Sequence, residues 1–204
     1  MTMNANLFAR FAAHWDPDRQ LLTTPSGEDF TYRDALAKSG QVAQFLQELG
    51  IRAGDRVSVQ AQKSVDYLWL FLGCLRGGFA FHPLNPAYTK SELAYFFTDA
   101  EPALVIYDPV NKSKAHDVAT ASGVRQTLTM ASDGSGSFRD SFQTGSSTRD
   151  IAVSKPHDIA ALLYSSGTTG QPKGIPLSHE NIAVNAVELR DAWGFTRDDV
   201  LLHA

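Results

Sequence analysis

Apolar positions recur along this chain with two periods, near 3.6 and near 2, and the two alternate from one end to the other. Leu7, Phe8, Phe11, Ala12 and Trp15 fall at helical spacing, which predicts a short amphipathic helix over residues 6–15 that Pro17 ends. Residues 20–32 read as a hairpin: Leu21, Leu22 and Thr23, a turn at Pro25-Ser26-Gly27-Glu28, then Phe30, Thr31 and Tyr32. Thr31 followed three residues later by Asp34 resembles a capping box and starts a helix. Leu36, Val42, Ala43, Leu46 and Leu49 form its buried face, and Gly50 ends it. After a turn at Gly54-Asp55, residues 56–60 alternate and predict a strand. Ser64 caps the next helix, which is apolar on nearly all sides over residues 67–75 and therefore expected to be deeply buried. Gly77-Gly78 stops it.

The same alternation continues. Phe79-Ala80-Phe81 is a short strand broken by Pro83 and Pro86. Thr89 and Glu92 form a full capping box for a helix that ends near Asp99. Residues 103–107 read as a buried strand, 111–122 as a weaker helix and 126–130 as a strand. Residues 131–150 are rich in Ser, Gly and Asp. They are expected to form a surface loop, with one helical turn at 138–142, on one continuing domain. Residues 159–164 form an apolar run, followed by a polar segment and then a short extended piece at 175–177. Ser178 is placed to cap a last helix, with Glu180 suited to its dipole. Ile182, Ala186, Leu189 and Trp193 make a stripe expected to face the core, and Gly194 ends the helix. Residues 200–204 read as another buried strand. An apolar strand is a poor natural terminus, so the chain is expected to be part of something longer. Strands alternating with helices of this length predict an α/β, doubly wound fold with a mainly parallel sheet and helices on both faces.

Composition narrows the function without naming it. Of 204 residues, 43% are hydrophobic and 20% charged, as in ordinary soluble domains. The net charge of −4 leaves no electrostatic footprint for nucleic acid. The single cysteine, Cys74, sits in an apolar run, so no internal disulfide is possible and a buried small hydrophobe is expected. No signal peptide is evident and no apolar run is long enough to span a membrane, so a cytoplasmic location is expected. His14, His82, His116 and His157 show no metal-ligand spacing with Cys, Asp or Glu. His179 reads as a capping or surface residue, Tyr164 as core, and His203 receives no role.

The chemistry concentrates in the polar segment after residues 159–164. Ser165, Ser166, Gly167, Thr168, Thr169, Gly170, Gln171, Pro172, Lys173 and Gly174 combine four hydroxyls, three glycines and one lysine with no acidic residue. Glycines let the backbone turn and approach a ligand closely. Exposed N–H groups on such a turn form an anion-binding concavity. A Gly/Ser/Thr cluster between apolar runs is more often a plain loop. The preceding strand, the fixed lysine and the missing acids favour polyphosphate instead. The spacing does not fit G-x-x-x-x-G-K-[ST], because Gly167 and Gly170 are three apart and no Ser or Thr follows Lys173.

This segment resembles the signature [Ser/Thr]-Ser-Gly-Thr-Thr-Gly-x-Pro-Lys-Gly of the adenylate-forming superfamily, which holds acyl-CoA synthetases, luciferases and peptide-synthetase adenylation domains. Every fixed position matches, and the resemblance runs over essentially the whole chain. His82-Pro83-Leu84-Asn85-Pro86-Ala87-Tyr88-Thr89 and Glu92-Leu93-Ala94-Tyr95-Phe96 are similar to acyl-CoA synthetases. The segments starting at Asp99 and at Trp193 are similar to malonyl-CoA synthetases. The resemblance implies that Ser165, Ser166, Gly167, Thr168, Thr169, Gly170, Lys173 and Gly174 hold the ATP phosphates. A carboxylate, with malonate favoured, would attack the α-phosphate, the CoA thiol would displace AMP, and Mg²⁺ would neutralise the phosphates. Members of this family are far longer. Residues 1–204 would be part of an N-terminal AMP-binding domain, lacking the adenine, ribose, metal and acid-reading motifs and the C-terminal catalytic lysine. No catalytic residue is assigned here. Two alternatives stay open: another short- or medium-chain acid as substrate, or a nucleotide-binding module that does not turn over.

Overall fold

The computed structural model describes residues 4–145, 147–148, 150–165 and 172–202. Two strands form a small antiparallel sheet, β1 (Gln20–Thr23) with β2 (Asp29–Thr31). Six more form the main sheet: β3 (Arg56–Gln60), β4 (Ala80–Pro83), β5 (Leu104–Tyr107), β6 (Gln126–Thr129), β7 (Ile159–Ser165) and β8 (Lys173–Ser178). Their order is β6-β5-β3-β4-β7-β8, and every neighbouring pair is parallel except β7 with β8. The helices are α1 (Leu7–Ala12), α2 (Tyr32–Glu48), α3 (Val65–Gly77), α4 (Lys90–Ala100), α5 (Lys112–Ala121), α6 (Ser137–Gln143) and α7 (His179–Trp193). The doubly wound α/β class expected from the pattern is therefore present.

Local chemistry explains most element ends. The capping boxes of Thr31 with Asp34 and of Thr89 with Glu92 form in full, each side chain bonding the other's backbone N–H. Ser64 caps α3 by accepting from the Tyr67 N–H. Gly78 ends α3 at φ 74, a left-handed conformation that favours glycine, and the Phe79 N–H turns back to the Cys74 carbonyl at 2.8 Å.

The sheet separates two cores. On one face Val57, Val59, Leu104 and Ile106 pack with α2, α3 and α6 through Leu46, Trp69, Leu75, Phe138 and Phe142. On the other, Val105 and Tyr107 pack with α4 and α5 through Phe96, Phe97 and Ala115. A central parallel strand is covered on both faces. This is why the alternating polar positions of β3 are buried rather than solvated: Ser58 and Gln60 are fully enclosed. Gln60 Nε2 donates to the Asn85 and Pro86 carbonyls, each at 3.3 Å.

Five expectations are corrected. The helix over 6–15 is only Leu7–Ala12. The segment 131–150 carries a two-turn helix, α6, whose Phe138 and Phe142 are fully buried and whose Arg139 pairs with the buried Asp66 at the start of α3. The extended piece at 175–177 is a six-residue strand, β8. In α7 His179, Ile182 and Ala183 pack inward, while Ala186, Leu189 and Trp193 are exposed. Residues 200–202 pair with no strand among the described residues, and Val200 and Leu202 are 95% and 97% exposed. Of the predicted stripe, only Ile182 packs against the core among the described residues.

Candidate functional site

β7 enters the candidate site as a parallel neighbour of β4 and leaves it as the first arm of a hairpin. Its carboxyl end lies at the edge where open α/β sheets bind ligands. The register sets Ser165 opposite Lys173 and Tyr164 opposite Gly174. Thus Ser165 and Lys173 face each other across the base of the polar segment, with Gly174 one step below. Ser166, Gly167, Thr168, Thr169 and Gly170 lie outside the described residues. The segment links two antiparallel strands, not a strand and a helix, so no helix N-terminus follows it directly. Lys173 is exposed, and no carboxylate pairs with it among the described residues. A Cβ on Gly174 would meet Tyr164, Asp99 and Leu162 at 3.5–3.6 Å, which is ordinary contact. Steric exclusion of a side chain by the hairpin is therefore not why position 174 is glycine.

Both arms of the hairpin are tied to α4. The Tyr164 hydroxyl donates to Asp99 Oδ2 at 2.5 Å, and the Tyr95 hydroxyl donates to the Pro172 carbonyl at 2.7 Å. The Tyr164 ring is fixed between Phe96 (centroids 4.7 Å apart) and His82 (5.3 Å). Burial, then the bond to Asp99, raises the Tyr164 pKa, so the phenol stays protonated and can only donate to the carboxylate. Tyr164, expected as core, is thus a half-buried ring with a polar tip at the site. Tyr95 and Asp99 fall in family-like stretches of the sequence, which assigns neither a role. The available signal was their spacing of four on a helix that carries a capping box.

Beneath Tyr164, His82 is fully buried. Its Nδ1 lies 2.7 Å from Ser58 Oγ, and its Nε2 is buried with no partner among the described residues. Burial lowers its pKa to about 4, so it is neutral near pH 7. His179 is not at the surface as expected. It is buried at the first turn of α7, and its Nδ1 accepts the Leu7 N–H at 3.1 Å. With the Arg10–Glu180 ion pair at 2.6 Å, this fastens α1 to the element that follows β8. His203 lies outside the described residues.

The arrangement can grip an anion: Ser165 and Lys173 offer a donor and a positive charge at an open strand end, and the nearby Asp99 carboxylate is engaged by the Tyr164 hydroxyl. Among the described residues it presents no free general base, since His82 is enclosed and Asp99 is engaged by Tyr164. No group of three or more His, Cys, Asp or Glu converges as a metal site among the described residues. No described helix is long and apolar enough to cross a membrane.

The chain matches known proteins along nearly its full length. The family described as AMP-binding enzyme matches residues 8–204. The crystal structure of ATP-bound MatB from Rhodopseudomonas palustris is 43% identical and superposes with a TM-score of 0.94, covering 99% of this chain and 40% of that one. The 4-coumarate–CoA ligase 3 of Oryza sativa subsp. japonica is 31% identical over 207 residues, 99% of this chain and 37% of the ligase. A hybrid PKS-NRPS synthetase of Aspergillus violaceofuscus is 30% identical over 191 residues, 94% of this chain but 5% of the synthetase. The chain therefore spans 40% or less of each of these relatives. The family match over residues 8–204 and the α/β fold agree: this chain belongs to the AMP-binding enzymes of the adenylate-forming superfamily.

Proposed function

We propose that the chain is the N-terminal part of the AMP-binding domain of an acid–CoA ligase that activates a small carboxylic acid, with malonate first. The observation that carries this reading is the agreement of the backbone with ATP-bound MatB over 99% of the chain. The likeness to a CoA ligase in rice supports the same reaction class. The choice of malonate rests on the segments 99–105 and 193–204 that resemble malonyl-CoA synthetases. In this reading the enzyme works in the cytoplasm, ATP and the acid give an acyl-adenylate and pyrophosphate, and CoA then displaces AMP.

Within that reaction the residues of this chain bind and orient phosphate. Ser165, Ser166, Thr168 and Thr169 donate hydroxyls, Gly167, Gly170 and Gly174 leave the backbone accessible, and Lys173 places a cation against the β- and γ-phosphates. A preset cation acts most strongly where charge develops, because its reorganisation is already complete. Mg²⁺ would neutralise phosphate charge when bound. Among the described residues no group of three or more His, Cys, Asp or Glu converges to hold it.

The test uses the ligase that carries these residues, supplied with ATP, Mg²⁺, CoA and malonate. Pyrophosphate release and CoA-thioester formation are expected together. Lys173→Ala should slow adenylation by about 3 kcal/mol, or roughly a hundredfold. Its thermal stability should be unchanged, because Lys173 is exposed. A variant within about twofold of the original rate (under roughly 0.5 kcal/mol) would remove Lys173 from the mechanism. Pyrophosphate release with another small acid but not malonate would overturn the substrate choice alone.

A further inference from the structure

The geometry points to Tyr95 and Asp99 of α4 as a two-point clamp that positions the phosphate-binding segment from outside it. This inference rests on the reading of residues 165–174 as the ATP phosphate site. The two side chains are four residues apart on α4, so they project from the same face about 6 Å apart along the axis. Their partners sit on the two arms of the hairpin. Tyr164 is level with Gly174, and Pro172 lies two residues further toward the tip. Two strand residues span about 6.6 Å. One helical turn is thus close in length to two strand steps, and the hydroxyls reach their acceptors at 2.7 Å for Tyr95 and 2.5 Å for Tyr164.

The clamp is asymmetric in chemistry. On one arm the strand residue donates to a helix carboxylate; on the other the helix donates to a strand-side carbonyl. Pro172 precedes Lys173 directly, so the Tyr95 bond fixes the backbone at the point where the cation leaves the hairpin. Proline already restricts φ there, which leaves its carbonyl as the group that sets direction. The Tyr164 ring, held by Phe96 and His82, fixes the first arm just before Ser165. Asp99 holds Tyr164 and Tyr95 holds the Pro172 carbonyl, so both act through other groups as positioning residues. Preorganising a binding segment raises affinity by removing ordering entropy from the binding step.

Tyr95→Phe and Tyr164→Phe each delete one hydroxyl and keep the packed ring, so the core should survive both. In the first measurement, amide hydrogen exchange is followed over residues 163–175 of the ligase without nucleotide. Each variant is expected to speed exchange there by about fivefold, the equivalent of one net hydrogen bond, and not elsewhere in the sheet. In the second, KM for ATP is expected to rise by about fivefold with KM for the acid within twofold. Asp99→Ala should reproduce Tyr164→Phe, and combining the two should add nothing, since both remove one bond. Unchanged exchange in both tyrosine variants overturns the clamp. Faster exchange with unchanged KM for ATP overturns its role in nucleotide binding. A protein that uses no ATP at all would refute the phosphate reading instead, and the exchange measurement would still decide whether the hairpin is clamped.

Discussion

His82 is a neutral imidazole sealed between Ser58 and the Tyr164 ring, with Nε2 unpartnered among the described residues. Burial lowers its pKa from 6.5 to about 4; Asp99 opposes that shift and Arg56 adds to it. The unfolded chain therefore takes up a proton below pH 6.5 that the folded one refuses until about pH 4. Above pH 7 the group is neutral in both states and contributes no pH dependence. As pH falls from 6.5 to 4, stability should drop by about 3 kcal/mol from this residue, then level off. His179 is shifted the same way, also by burial first, and adds to the slope. Denaturant unfolding from pH 4 to pH 8 checks this: His82→Gln should flatten much of the acid-side loss. An unaltered slope would show that His82 does not carry it. The sequence marked His82 only as part of a family-like stretch. Its burial follows from strand register, which places it beside Ser58 of β3, and register is not a local property.

At the scale of elements, the contact between α2 and α3 depends on one glycine in the middle of a helix. A Cβ on Gly73 would lie 2.3 Å from Val42 Cγ1 and 2.6 Å from Val42 Cβ. In an exposed helix, alanine would be better than glycine by roughly 1 kcal/mol. Here the overlap is with a fully buried, β-branched side chain, so steric strain wins. Gly73→Ala should destabilise the protein by about 1–3 kcal/mol, read as a lower denaturant midpoint at constant slope. Val42→Ala should be destabilising alone but should recover part of the loss in the double variant, and strictly additive losses would contradict this contact. The sequence revealed elements whose signals are local. Thr31 with Asp34, Thr89 with Glu92, and Ser64 announced three helix starts correctly. It underestimated β8, because Gly174 and Pro176 suppress strand propensity, yet an edge strand tolerates proline. Nothing local distinguished Gly73 as a packing glycine, since its neighbour Val42 lies on another helix.

For the whole molecule, periodicity revealed the α/β class, and the signature segment revealed the family. The order β6-β5-β3-β4-β7-β8, which brings His82 and α4 to the hairpin, could not be read from either. That order also leaves apolar surface at one end of the sheet. Leu163 and Ile175 are register partners, 37% and 42% exposed, beside the edge strand β8. On α7, Val184 and Val187 lie three apart and are 49% and 46% exposed, and Trp193 is 67% exposed. Single exposed apolar residues are normal, but a group of them beside a strand edge that pairs with nothing among the described residues favours association. A net charge of −4 offers little repulsion against it. The 204-residue chain is therefore expected to associate as its concentration rises and to bind a hydrophobic dye in its folded state. Light scattering coupled to size exclusion reads the first, and dye fluorescence against a thermal melt reads the second. Val187→Lys with Trp193→Glu, both on the exposed side of α7, should shift the population toward monomer without lowering the unfolding temperature. A wild-type chain that stays monomeric and binds no dye across a wide concentration range would show that this surface is not sticky in solution.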